Sequence, residues 1–120
     1  MLTDRCHKRL EGVHADLVRV VKRAALTSEV PFIVTEGLRT SKRQAELVKA
    51  GASKTMNSRH LTGHAVDVAP VIGGKVCWDW PPFHKIAAAM KQAAELEGVA
   101  LTWGGDWRTF KDGPHFELTW

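Results

Sequence analysis

The sequence predicts an α+β fold, a single small domain in which three main helices pack on a small, largely antiparallel sheet. Three observations carry the prediction. The chain has 120 residues, which suits one domain and leaves no room for a second. A domain of that size buries roughly two-thirds of its unfolded surface and folds without disulfide staples. Local signals then arrive in the order helix, strand, helix, strands, helix, strands, with glycine and proline at the joints.

The elements follow in order. From Asp4 to about Leu26, apolar residues recur at Leu10, Val13, Leu17, Val20, Val21 and Ala24, which is helical spacing, with Thr3 or Asp4 as N-cap. Pro31 punctuates, and Phe32-Ile33-Val34-Thr35 has the β-branched content of a short strand. Ser41 to Gln44 has capping-box spacing and opens a second helix that ends at Gly51. A polar loop runs from Gly51 to Ser58. Ala65 to Ala69 reads as a buried strand stopped by Pro70, and Gly73-Gly74 as a tight hairpin turn. Pro81-Pro82 sits at the start of a third helix, Ala-rich from Ile86 to Leu96 and closed by Gly98. Leu101-Thr102-Trp103 and His115 to Leu118 are two last strands around a Gly-rich loop. No repeat or low-complexity stretch interrupts the order.

Composition narrows the function classes. An apolar fraction of 44% and a charged fraction of 25% exclude disorder, collagen and coiled coil as whole-chain readings. No apolar run approaches the ~18 residues of a spanning helix, so no stable membrane association is expected. Seventeen Lys+Arg against thirteen Asp+Glu give +4, a modest excess that favours anionic partners, including acidic cell-wall polymers. The positive residues are scattered over helical segments, as a solvated face requires. No basic helix carries base-reading residues, so nucleic acid is not the expected partner. Cys6 and Cys77 are far apart and demand no oxidising compartment. The polar start Met1-Leu2-Thr3-Asp4-Arg5 has no apolar signal core, so synthesis in the cytoplasm is expected.

Six histidines are many for this length. His7, His14 and His84 have no acidic partner at ligand spacing and read as packing or surface residues. His60, His64 and His115 instead share Gly- and Ser-rich segments with Asp67, Asp106 and Asp112. In the strand after the Gly63 turn, Asp67 points opposite to Val66 and Val68. If the valines face the core, Asp67 faces a cleft; a buried carboxylate needs a partner or a metal. His60 and Asp67 make two-thirds of an open zinc site, and His115 at a strand start offers the third ligand. Isolated His and Asp are common, so spacing alone leaves the site balanced between ligand set and ordinary polar residues. The rival pair His60 and His64 lacks the Glu and the helix of a zincin. Cys77 has no ligand partner in sequence and reads as a small buried hydrophobe. Among Trp78, Trp80, Trp103, Trp107 and Trp120, a core role is the default, although Trp103 and Trp107 flank Gly104-Gly105 and suit the floor of a substrate groove. Glu117 alternates with Phe116 and either orients a ligand histidine or pairs with a lysine.

The pattern Ser58-x-His60-x-x-Gly63-x-Ala65-x-Asp67, followed by Asp112-x-x-His115, resembles that of the zinc-dependent D-Ala-D-Ala peptidases of the hedgehog-type fold. Within that group, Glu36-Gly37-Leu38-Arg39-Thr40, Gly63 to Pro70 and Gly104-Gly105-Asp106-Trp107 resemble phage endolysins that cut the L-alanyl-D-glutamate bond of peptidoglycan stem peptides. The resemblance spans Phe32 to Leu118. It implies one Zn²⁺ per chain held by His60, Asp67 and His115. It also implies Asp112 as general base, whose alternative is a turn residue in Lys-Asp-Gly-Pro. Arg39 would aim at an oxyanion or substrate carboxylate, and Ser58 would bind substrate. Residues 1–120 are then expected to form a monomeric catalytic domain with no separate wall-binding unit. It would be made in the host cytoplasm and reach the wall with a holin's help. The competing readings are a D-Ala-D-Ala carboxypeptidase or dipeptidase and a non-catalytic zinc or peptidoglycan-binding module.

Overall fold

The computed structural model describes residues 2–53 and 55–119; the expectation for Trp120 lies outside the described residues, as do Met1 and Lys54. The Thr3 hydroxyl accepts the Cys6 amide and starts α1, Asp4–Arg9. The single first helix predicted to run to Leu26 is in fact two. Gly12 adopts φ +81°, a left-handed conformation that ends the helical path, and a side chain there would collide with Leu38. His14 then caps α2, Ala15–Thr27, its Nδ1 accepting the Asp16 amide. Strand β1 covers Phe32–Glu36 and helix α3 Ser41–Lys49. A 3-10 turn at Arg59–Thr62 precedes β2, Ala65–Ile72, and β3 is Lys75–Val76. Helix α4 spans Trp80–Glu97, with its prolines in the first turn and Gly98 as the left-handed cap. Strand β4 covers Leu101–Trp103, a second 3-10 turn Gly104–Asp106, and β5 His115–Leu118.

Two local expectations need correction. Pro70 does not stop its strand: β2 continues to Ile72, because Pro70 pairs opposite Phe32 and contributes its carbonyl, which accepts the Cys77 amide. Nor is Ser41 the N-cap of α3. Thr40 fills that position, accepting the Arg43 amide, and this leaves Gln44 free of any capping box.

The sheet runs β1-β2-β5-β4 with every neighbour antiparallel, and β3 pairs with the far end of β2. One face builds the core. Val34, Val66, Val68, Phe116 and Leu118 pack against Leu17, Val20 and Val21 of α2 and Ile86 and Met90 of α4, all essentially without solvent contact. Burying each such side chain contributes about 1.5–3 kcal/mol, so this face carries most of the stability. Strand alternation sends the intervening residues Asp67, His115 and Glu117 to the opposite face.

Candidate active site

The opposite face of the sheet forms the floor of a cleft of about 470 Å³, walled by α3, the loop after it, the Arg59–Thr62 turn and the segment before β5. Asp67 lies directly opposite His115 in the β2–β5 register, so sheet pairing alone brings these two together from positions far apart in sequence. His60 arrives from the 3-10 turn. The Ser58 hydroxyl caps that turn by accepting the His60 amide at 3.2 Å. Gly63 closes it with φ +75°, packed so tightly on the Gly12 carbonyl that no side chain fits. The predicted spacing Ser58, His60, Gly63 is therefore a short capped turn that holds one imidazole.

The three side chains converge. Asp67 Oδ1 lies 3.2 Å from His60 Nε2 and 3.3 Å from His115 Nδ1, and one ligand atom from each residue falls within 4.8 Å of the others. The outward nitrogen of each ring is fixed. His60 Nδ1 donates to the Gly37 carbonyl at 2.8 Å, and His115 Nε2 donates to Glu117 at 2.8 Å. A carbonyl can only accept, so Nε2 of His60 is the nitrogen offered to the centre. Backbone carbonyls and carboxylates behind the imidazoles are the usual partners of ligand histidines, and two imidazoles plus one carboxylate suit zinc with a position left open. The donor set fits that ion.

Electrostatics agree with the geometry. Burial opposes the charge on Asp67, but hydrogen bonds from His115 and His60 outweigh it and hold the carboxyl well below the usual range. Burial likewise opposes a charged His115, yet its bonds to Asp67 and Glu117 lift its pKa to about 9. Asp112 is the exception. Burial first, and the negative charge of Asp67 second, push its carboxyl above the ordinary value. Its carboxylate makes no hydrogen bond or ion pair among the described residues. A half-buried carboxylate without a partner costs stability, and such groups cluster at functional sites.

The other expected residues line the same cleft. Trp107 sets its ring 5.1 Å from that of His115. Arg39 is nearly buried, donating through Nε to Glu36 at 2.6 Å and through Nη1 to Gln44 at 2.7 Å, with Nη2 3.6 Å from Asp67 Oδ2. Trp103 is not the groove floor that its Gly-rich neighbourhood suggests. It lies in the core and donates its indole N–H to the Gly113 carbonyl at 2.7 Å, beneath the Asp112 segment. His64 falls outside the convergent group, its Nδ1 bonded to Thr62. Asp106 pairs with Lys91 at the surface, and His84 meets Trp103 edge to face. Cys77 is half-exposed, not buried, with its thiol directed at Asp79. Trp78 is 65% exposed, against the core default.

Two residues of the site escaped the sequence reading: Glu36, which lines the cleft, and Gln44, buried behind it. Phe32 and Val34 face the core, and simple alternation would put Glu36 there too. The β1–β2 register shifts between Val34 and Glu36, and Glu36 turns to the cleft opposite Asp67. The signal was a charged residue in phase with a buried strand face. Gln44 was hidden by its apparent capping role.

The fold and this site define a small α+β peptidase whose His60, Asp67 and His115 form a group able to hold a metal. The family model for the phage L-alanyl-D-glutamate peptidase matches residues 1–119, and the chain belongs to that family. It is 34% identical to the L-alanyl-D-glutamate peptidase of Escherichia phage T5, over 92% of each chain. The crystal structure of the Serratia marcescens L-Ala D-Glu endopeptidase ChiX superposes with a TM-score of 0.93 at 52% identity, covering 99% of this chain and 90% of that one. The vancomycin-resistance D,D-dipeptidase VanXYg shares the fold at 15% identity and a TM-score of 0.55, covering 88% of this chain and 50% of that one. Among the described residues, no helix is long and apolar enough to cross a membrane.

Proposed function

We propose that this protein is a zinc-dependent endopeptidase that hydrolyses the L-alanyl-D-glutamate bond of peptidoglycan stem peptides, as a phage endolysin does. One observation carries the reading: an unpartnered carboxylate, Asp112, shares a cleft with a convergent His-Asp-His group in a chain of this family. His60, Asp67 and His115 would hold one zinc ion per chain, with His60 Nε2, Asp67 Oδ1 and His115 Nδ1 the atoms that face the centre. When bound, zinc supplies a Lewis acid that polarises the scissile carbonyl and makes water acidic near pH 7.

The chain's own residues do the rest. Asp112 accepts the proton of the attacking water and returns it to the departing D-glutamate amine. Its raised basicity suits the first transfer, and its lack of a fixed partner leaves it available for the second. Arg39 commits part of its five donors to Glu36 and Gln44; the remaining N–H groups serve the developing oxyanion or a substrate carboxylate. Glu117 holds the His115 ring in the ligating orientation. Trp107 offers an apolar wall for the stem peptide, and Ser58 contributes a hydroxyl beside His60. Residues 1–120 act as one monomeric catalytic domain, reaching the wall from the host cytoplasm through holin lesions.

Metal analysis and product mapping test this reading together. The purified protein should bind about one equivalent of zinc. It should also release peptides with a new N-terminal D-glutamate, and lose that activity on chelation. Release of free D-alanine instead would assign a D-Ala-D-Ala carboxypeptidase, and undiminished clearing by chelated protein would remove the metal mechanism.

A further inference from the structure

Gln44 is the largest buried polar group that the chemistry above leaves without a task. It has no solvent exposure, and its amide is used at both ends. Oε1 accepts from Arg39 Nη1 at 2.7 Å; Nε2 donates to the Ser53 hydroxyl at 2.8 Å and to the Thr55 carbonyl. The orientation is forced, because a guanidinium can only donate and a carbonyl can only accept. Only a neutral amide satisfies both neighbours at this position.

These bonds join two parts of the cleft. On one side, Ser53, Thr55 and Asn57 form its polar rim, in the segment that leads to the His60 turn. On the other, Arg39 sits 3.6 Å from Asp67 Oδ2, the oxygen turned away from the two histidines. We propose that Gln44 is a positioning residue that fastens the cleft's substrate rim to the Asp67 carboxylate through Arg39. This rests on the peptidase reading of the cleft. Gln44 touches neither the ligand group nor the cleft space; it fixes how far the rim stands from Asp67, and in which rotamer Arg39 meets it. Buried polar chains of this kind keep a single geometry only while every member is satisfied.

The two arms can be cut separately. Gln44→Glu keeps an oxygen for Arg39 but sets its second oxygen against the Thr55 carbonyl, so the rim arm loses that bond and retains at most a reversed one, donated by the Ser53 hydroxyl. Gln44→Leu breaks both. The glutamate variant should raise KM for a stem peptide about tenfold while zinc affinity and kcat stay near wild type. The leucine variant should raise KM similarly and also weaken zinc binding and kcat by about tenfold or more, as loss of an outer-shell partner does. Amide exchange at Ala52 and Ser53, whose N–H groups bond the Leu47 carbonyl, should quicken in both variants. That readout needs no activity, so it tests the rim arm even if the peptidase reading fails. Val48→Ala, a half-buried site on the same helix, serves as a control for general destabilisation. The proposal is overturned if both Gln44 variants match wild type in KM and exchange. It is also overturned if the two variants shift kcat, KM and zinc affinity alike, in proportion to lost Tm as Val48→Ala does.

Discussion

Replacing Asp112 with asparagine separates a general base from a turn residue, because the two roles predict opposite changes in stability. The Asp112 backbone amide bonds the Gly104 carbonyl at 3.0 Å, and its carbonyl accepts the His115 amide at 3.2 Å. Asparagine keeps both bonds and nearly the same shape. What changes is the charge. In the metal-free protein the folded-state pKa of Asp112 is raised by burial and by Asp67, so the ionised form is destabilising at neutral pH. The sign follows: an acid whose pKa rises on folding weakens the fold as pH climbs through that range, and a neutral amide removes the loss. The Tm of the chelated Asp112→Asn protein at pH 7 should therefore hold or rise. Its kcat should fall by about 10²- to 10⁴-fold, the usual worth of general base catalysis, or about 3–5 kcal/mol of barrier. Zinc content should remain near one equivalent, since Asp112 is not among the convergent ligand atoms. Calorimetry, metal analysis and single-turnover cleavage of a stem peptide read the three quantities. A lower Tm with near-normal kcat would refute the reasoning and return Asp112 to the turn.

How legible the site was depends on what each residue's neighbours are. Asp67 could be placed because a single strand's alternation fixes its face once Val66 and Val68 are assigned to the core. His60 and Gly63 are a local turn, so their spacing survives folding unchanged. The pairing of Asp67 with His115 is different. It is a register across two strands 48 residues apart. Local spacing contains no term for that register: it offered His115 as a candidate third ligand without deciding the matter, and the family pattern tipped the balance. Glu36 was hidden by a bulge, which breaks the period-two rule that would otherwise place it. Gln44 was hidden by competition between two uses of one residue type. A serine at position 41 with a glutamine three residues on satisfies the capping-box pattern, but Thr40 wins the cap and the amide turns inward. The break at Gly12 was missed because apolar periodicity continues across it, from Leu10 to Val13 and Leu17, while the backbone does not. Secondary structure was thus read best where one segment decides it, and the cleft where a turn or a strand face does.

Three further measurements bear on the site. Glu117→Gln should weaken zinc binding by about 10- to 100-fold in chelator competition, with little change in far-UV spectrum, because it loosens the His115 ring and lowers its basicity; unchanged affinity would leave Glu117 an ordinary strand residue. Gly63→Ala should cost at least about 1–2 kcal/mol from its left-handed conformation alone, with more from contact with the Gly12 carbonyl. An unchanged Tm would show that the turn holding His60 is more pliant than its packing implies. The last is a pH profile of the chelated protein. His115 carries a pKa of about 9 in the fold against 6.5 for the free side chain. A base whose pKa rises on folding stabilises fully below 6.5 and loses that contribution as pH climbs to about 9. The difference is worth about 3 kcal/mol at most, and the bonds to Asp67 and Glu117 that create it are the same ones that depress Asp67, so the two are counted once. The chelated protein should therefore lose Tm steadily between pH 6.5 and 9. Zinc must displace the shared proton to bind, so the loaded protein should lack that slope and bind more tightly as pH rises across the same window. Parallel profiles with and without metal would mean that zinc does not compete for the His115 nitrogen, and the ligand set would have to be redrawn.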